Sequence, residues 1–402
     1  MAGRTGGKPT VGLWRSKDVA CGGVPRGADT AGTGRNSAGS PRPHHRHRLF
    51  RRRPRFHRFR HRPRRHGFGD RSGFRRFPFW IRRRGFRAWR RGFLAVLLAT
   101  AIAAPLSAAA RPEIPAPAPA ALPPLTAATL PTAYAANRAD AAEAARMAAA
   151  HGDGHRASAD RALAAASRRL LAFDGRGAGQ ATEVLGDFAH ADHIAVLVPG
   201  SDTSLDTYAR FHAAAAALYA DLVHRAAPGT RVAVIAWLGY ETPATVSTTV
   251  TTTTRADEAA PHLRAFTRGL HAVAPPQAHV SLVCHSYGSV VCGRAARGLD
   301  ADDIALVGSP GTGADTAAAL RTRARVWAAR GSDDWVAHVP HLRADLFGTT
   351  VGFGTDPVAP AFGARVFDAA DAGHSGYFAP GSASLTNLSR IVLDDLSEVT
   401  RA

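Results

Sequence analysis

Past residue 190 the chain is built from short apolar, β-branched runs that close on glycine or proline. Ile194-Ala195-Val196-Leu197-Val198 empties into Pro199-Gly200-Ser201-Asp202, and His279-Val280-Ser281-Leu282-Val283-Cys284 leads into His285-Ser286-Tyr287-Gly288. Asp303-Ile304-Ala305-Leu306-Val307, residues 324–329 and residues 364–368 repeat the pattern. Continuous apolar runs without polar alternation predict strands buried on both faces, as in a mostly parallel central sheet flanked by helices. Ahead of them, residues 135–170 are rich in alanine with interspersed arginines and are broken at Gly152-Asp153-Gly154, which predicts two helices preceding the sheet. The remaining residues, 171–400, suit one α/β domain.

One of these runs ends in chemistry. Val290-Val291-Cys292-Gly293-Arg294-Ala295-Ala296 is compact and helix-compatible, so the order around Ser286 is strand, serine, helix. A serine on such a turn adopts a strained backbone, and the positions two before and two after it must be small. Here they are Cys284 and Gly288. A serine hydroxyl becomes a nucleophile when a neutral imidazole takes its proton and a carboxylate orients that imidazole. Two later strand ends supply both groups in chain order. Residues 324–329 lead to Gly331-Ser332-Asp333-Asp334, and residues 364–368 are followed by Gly373-His374-Ser375. His374 is the expected base and Asp334, three residues past Gly331, its expected orienter, with Asp333 as the competing acid. The expected donors to an oxyanion are the backbone N–H groups of Tyr287 and Ser201, with Gly200 next in line. Trp237, Tyr240 and Gly200 are the expected substrate-contacting residues, and Tyr287, Trp335 and Tyr377 flank the same loops.

The order serine, acid, histidine on successive strand ends resembles the α/β-hydrolase superfamily from about residue 170 to residue 399. Within it, the chain is similar to a largely uncharacterised group of secreted hydrolase-like proteins of high-GC bacteria. The closer likeness rests on Leu170-Leu171-Ala172-Phe173-Asp174, Val198-Pro199-Gly200, Ala236-Trp237-Leu238-Gly239-Tyr240, His285-Ser286-Tyr287-Gly288-Ser289, Val307-Gly308-Ser309-Pro310-Gly311, Phe362-Gly363-Ala364-Arg365 and Gly373-His374-Ser375. The resemblance implies a nucleophile at Ser286, an acid at Asp334 and a base at His374. It is silent on substrate; the expectation from the triad is a serine hydrolase acting on small-molecule or lipid esters, as a monomer, with no cofactor and no metal. Two other readings stay open: a peptidase or amidase of the same fold, and a binding protein that keeps the loops without the activity.

Charge alters the picture only once the chain is divided. Of 51 basic and 31 acidic residues, residues 1–91 hold 27 and 3, which leaves 24 against 28. The first 91 residues therefore carry +24 and the remainder −4, and nucleic-acid binding is not expected of the remainder. Residues 1–91 form a low-complexity arginine, histidine and phenylalanine segment. His44, His45, His47, His57, His61 and His66 stand among arginines, which oppose a metal ion. The segment runs into Arg90-Arg91-Gly92-Phe93-Leu94, a short apolar stretch to Leu106, and Ser107-Ala108-Ala109-Ala110. Residues 89–110 thus read as a twin-arginine export signal, read by the export machinery and cleaved near Ala110. The expected location is extracellular, with a retained membrane anchor as the alternative. Residues 111–134 are a proline/alanine linker.

Two features are ambiguous in one dimension. Cys284 and Cys292 lie on a strand end and in the next helix, so an approach within disulfide range is not assured, and two buried free thiols are the expectation. The threonine-rich residues 245–254 suit either a cover over the site or a surface strand or loop.

Overall fold

A computed structural model describes residues 114–339, 343–346 and 349–402. The basic segment, the export signal and the first residues of the linker lie outside the described residues. Two helices come first, α1 (Leu130–Ala150) and α2 (Gly154–Leu163). The linker ends earlier than expected because Pro131 falls in the first turn of α1, where a missing N–H removes no helical hydrogen bond. Asp153 caps α2 by accepting from the Arg156 N–H at 2.9 Å. α1 lies on β1 (Leu170–Asp174), and Asn137 Nδ2 donates to the Leu170 carbonyl at 3.0 Å.

The main sheet has eight strands in the order β1-β2-β4-β3-β5-β6-β7-β10. Besides β1 these are β2 (Gln180–Gly186), β3 (His193–Val198), β4 (Val232–Leu238), β5 (His279–His285), β6 (Asp303–Val307), β7 (Arg325–Ala329) and β10 (Arg365–Val366). β2 alone runs against the others, pairing antiparallel with both β1 and β4. The helices between the strands are α3 (Tyr208–Arg225), α4 (Thr254–Leu270) and α5 (Gly288–Ala295), and α6 (Ala383–Val392) follows the last strand.

The unbroken apolar runs are explained by two separate cores. In β3, Ile194, Val196 and Val198 face the layer holding α4 and α5, whereas Ala195 and Leu197 face the layer holding α3 and α6. Each strand residue thus buries its side chain on one face or the other. Between β7 and β10 the chain inserts a hairpin, β8 (Arg343–Leu346) and β9 (Thr349–Gly352), absent from the sequence-based expectation. Among the described residues, no helix is long and apolar enough to cross a membrane.

At the edge of the sheet opposite the strand C-termini, a buried carboxylate ties three strands together. Asp303 is fully buried and accepts from His279 Nε2 (2.7 Å), Arg325 Nε (2.8 Å) and Trp327 Nε1 (2.7 Å). His279, Asp303 and Asp394 stand close enough to hold a cation, but the Arg325 guanidinium already donates to both carboxylates. Burial pushes the Asp303 carboxyl up, and the three donors outweigh it and hold it below its ordinary range. Asp303→Asn removes the buried negative charge and sets an amide NH2 against the donors of Arg325, His279 and Trp327, and the expected loss is about 3 kcal/mol or more in urea unfolding at neutral pH. Because the folded carboxyl titrates lower, its stabilisation is present above the unfolded value of about 3.9 and is lost as pH falls through the folded one. The gap between wild type and variant should therefore hold at pH 6 and close only under strongly acidic conditions; a gap that closed near pH 6 would assign the effect elsewhere.

Candidate active site

The site sits at the C-terminal ends of the parallel strands, where open α/β sheets place their ligands. β5 leads directly into α5, and Ser286 on the connecting turn has φ +53°, the left-handed conformation expected of a nucleophile elbow. Two glycines make room for it. A Cβ on Gly200 would lie 2.6 Å from Ser286 Cβ, and one on Gly288 would lie 2.5 Å from the Val198 carbonyl oxygen. The Ser286 N–H donates to the Val307 carbonyl at 3.0 Å, tying the turn to β6.

Cys284 holds the other small position for a different reason. Its sulfur is bonded to Cys292 on α5, with the Cα atoms 6.5 Å apart. This corrects the expectation of two free thiols: the turn folds α5 back beside the end of β5, bringing an i, i+8 pair within bonding distance. The bridge encloses Ser286.

The three groups assigned from the sequence meet as one hydrogen-bonded chain. His374 Nε2 lies 2.9 Å from Ser286 Oγ, and His374 Nδ1 lies 2.9 Å from Asp334 Oδ1. An ionised carboxylate only accepts, so Nδ1 carries the proton and Nε2 presents its lone pair to the serine hydroxyl. The two adjacent acids differ in burial and in partners. The Asp334 side chain is fully buried and accepts from the Val336 N–H (2.9 Å) and from Tyr377 Oη (2.5 Å) as well as from His374. Asp333 is exposed and accepts from its neighbour Ser332 Oγ at 3.3 Å. Burial pushes the Asp334 carboxyl up, but donation from His374, Tyr377 and Val336 outweighs it and holds the group below its ordinary range, so it stays charged.

Above Ser286 opens a cavity of about 1040 Å³. Phe211, Ala214, Val250, Tyr287, Val336 and Phe353 are among its apolar lining residues. Trp335 stands half-exposed beside it, its ring 4.7 Å from that of His374. Gly200, Ser201 and Tyr287 lie on the wall next to the serine. The threonine-rich segment is loop with one 3₁₀ turn, Thr248–Thr251, and it lines the cavity through Thr245, Val250 and Thr251.

Trp237 and Tyr240 are not on that wall, which corrects their expected contact with substrate. Both are 3% exposed, stacked on one another at 6.0 Å in the core beside α4. Strand alternation turns Trp237 into the layer under α4, and Tyr240 Oη donates to the Pro199 carbonyl at 2.7 Å, bracing the loop that carries Gly200 and Ser201. Tyr377, expected near the cleft, is also buried, and its hydroxyl accepts from the Gly331 N–H (3.2 Å) while donating to Asp334. The one signal in the sequence for this role is its place three residues after His374.

Residues 174–344 match the α/β hydrolase family. Uncharacterised proteins from two strains of Mycobacterium tuberculosis are 30% identical to this chain over 257 residues, covering 55% of this chain and 38% of theirs. The chain therefore spans well under half the length of these relatives. Among solved structures it is similar to a predicted CIB-like hydrolase from Thermoplasma acidophilum (15% identical, TM-score 0.36, 58% of this chain and 98% of that one). It is also similar to an α/β serine hydrolase without lid from Xanthomonas campestris (17% identical, TM-score 0.35, 58% and 95% covered).

Proposed function

Taking residues 174–344 as an α/β-hydrolase domain, we propose that the chain is an exported serine hydrolase that cleaves carboxylic esters through an acyl-enzyme. The observation that carries this reading is the continuous chain Asp334–His374–Ser286 ending at the floor of an apolar cavity. In the reaction, His374 Nε2 takes the Ser286 proton as Oγ attacks the ester carbonyl. The backbone N–H groups of Tyr287 and Ser201 donate to the oxyanion, and Asp334 stabilises the imidazolium. His374 then returns the proton to the departing alcohol, and water, activated by the same nitrogen, releases the acid. The sequence of steps uses no cofactor. A cavity of this size with apolar walls suits an ester with an extended acyl chain.

A fluorophosphonate probe tests the mechanism: the wild-type protein is expected to be labelled at Ser286 at neutral pH, with the modified residue located by peptide mass. An unlabelled wild type would favour a binding protein that keeps the fold without the chemistry.

Export is supported by the bridged Cys284–Cys292 pair, since disulfides persist in oxidising compartments. N-terminal sequencing of protein from culture medium is expected to begin near Arg111. A secreted species that still carried Arg82-Arg83-Arg84 would overturn the export signal.

A further inference from the structure

We propose that His285 is a positioning residue for the base: it ties the loop carrying His374 to the strand carrying Ser286 through a hydrogen bond to the His374 backbone. The inference rests on the serine-hydrolase reading above. A working pair of Ser286 and His374 has to hold one distance across two separate pieces of chain. On one side is the end of β5; on the other is a loop beyond β10, closed by the turn in which the Gly376 N–H donates to the Gly373 carbonyl at 2.7 Å. Asp334 fixes the Nδ1 side of the imidazole, but the reach of Nε2 to Ser286 depends on how that loop sits against β5.

His285 spans this gap. It is the last residue of β5, next to the nucleophile, and its Nε2 lies 2.7 Å from the His374 carbonyl oxygen. A carbonyl only accepts, so Nε2 carries the proton and the tautomer is set. Burial pushes the His285 pKa down to about 4, which keeps the ring neutral beside an imidazole that must become cationic during turnover. The ring is wedged as well as bonded, with centroids 4.9 Å from His374, 5.9 Å from Tyr377 and 6.3 Å from Phe378 in an edge-on contact. One side chain thus meets the residue that bears the base and the residue that holds the acid. Within the reaction it neither attacks nor transfers a proton.

The test separates the hydrogen bond from the volume. In the full chain, His285→Gln keeps an N–H at nearly the same reach as Nε2, whereas His285→Met fills similar space without a donor. Hydrolysis of p-nitrophenyl esters and the rate of fluorophosphonate labelling are both read, with Tm as the control for folding. For His285→Met, kcat and the labelling rate are expected to fall about 10- to 100-fold, while His285→Gln stays within about threefold of wild type. KM is expected to move far less than kcat; because His285 also borders the cavity, a loss confined to KM would mark a lost substrate contact and overturn the proposal. If His285→Met is insoluble, His285→Asn, whose donor stops short of the carbonyl, is expected to show the same loss. A Met variant as fast as wild type, or a Gln variant as slow as Met, would overturn the proposal. A wild type that is never labelled would instead remove the serine mechanism beneath it.

Discussion

Ser286→Ala is expected to abolish hydrolysis of p-nitrophenyl acyl esters, lowering kcat by several orders of magnitude while leaving Tm nearly unchanged. The side chain contributes one hydroxyl to a site that otherwise persists. Its hydrogen bond to His374 Nε2 is 2.9 Å, and the left-handed backbone is held by the packing of Gly200 and Gly288, not by the hydroxyl. Alanine at φ +53° is as strained as serine, so folding should be little affected. Groups that act as a unit lose nearly all their joint effect when one is removed, and only oxyanion donation and substrate binding remain in the variant. Steady-state kinetics and thermal melting on the same preparation are the check. Activity retained in Ser286→Ala would remove this residue from the mechanism.

The second large effect discriminates between neighbouring acids. Asp334→Asn should cost about 10⁴-fold in kcat, the scale expected when the imidazole is left in the wrong tautomer. Asparagine offers a donor as well as an acceptor where His374 Nδ1 and Tyr377 Oη both require acceptors. An amide N–H turned toward Nδ1 makes that nitrogen the acceptor, moves the ring proton to Nε2, and leaves nothing to take the proton of Ser286. Asp333→Asn, at an exposed residue whose carboxylate accepts from Ser332 Oγ, should leave kcat within about twofold of wild type. The opposite ranking would promote Asp333 and contradict the geometry of the 2.9 Å contact.

Much of the site is legible in the amino-acid sequence because its logic is local. A strained serine demands small neighbours, and Gly288 supplies one within two residues of it. The acid and base follow on strand ends whose apolar runs are visible residue by residue. The features that escape such a reading depend on distance across the fold. Cys284 and Cys292 are eight apart in sequence, yet whether they meet depends on how tightly α5 turns back on β5. Trp237 and Tyr240 carry the same local signature as Trp335, but one pair packs beneath α4 and the other ring stands beside His374.

By itself, then, the sequence determined the parallel sheet, the turn at Ser286 and the order in which serine, acid and histidine arrive, because each rests on a run of adjacent residues with its own backbone preference. The tertiary structure alone decided which acid is buried, which aromatics reach the cavity, that the two cysteines bridge the elbow, and that Tyr377 and His285 brace Asp334 and His374. Those outcomes are set by side chains from distant segments coming within hydrogen-bond or bonding distance. No local pattern encodes such a distance, which emerges only when the strands are laid side by side.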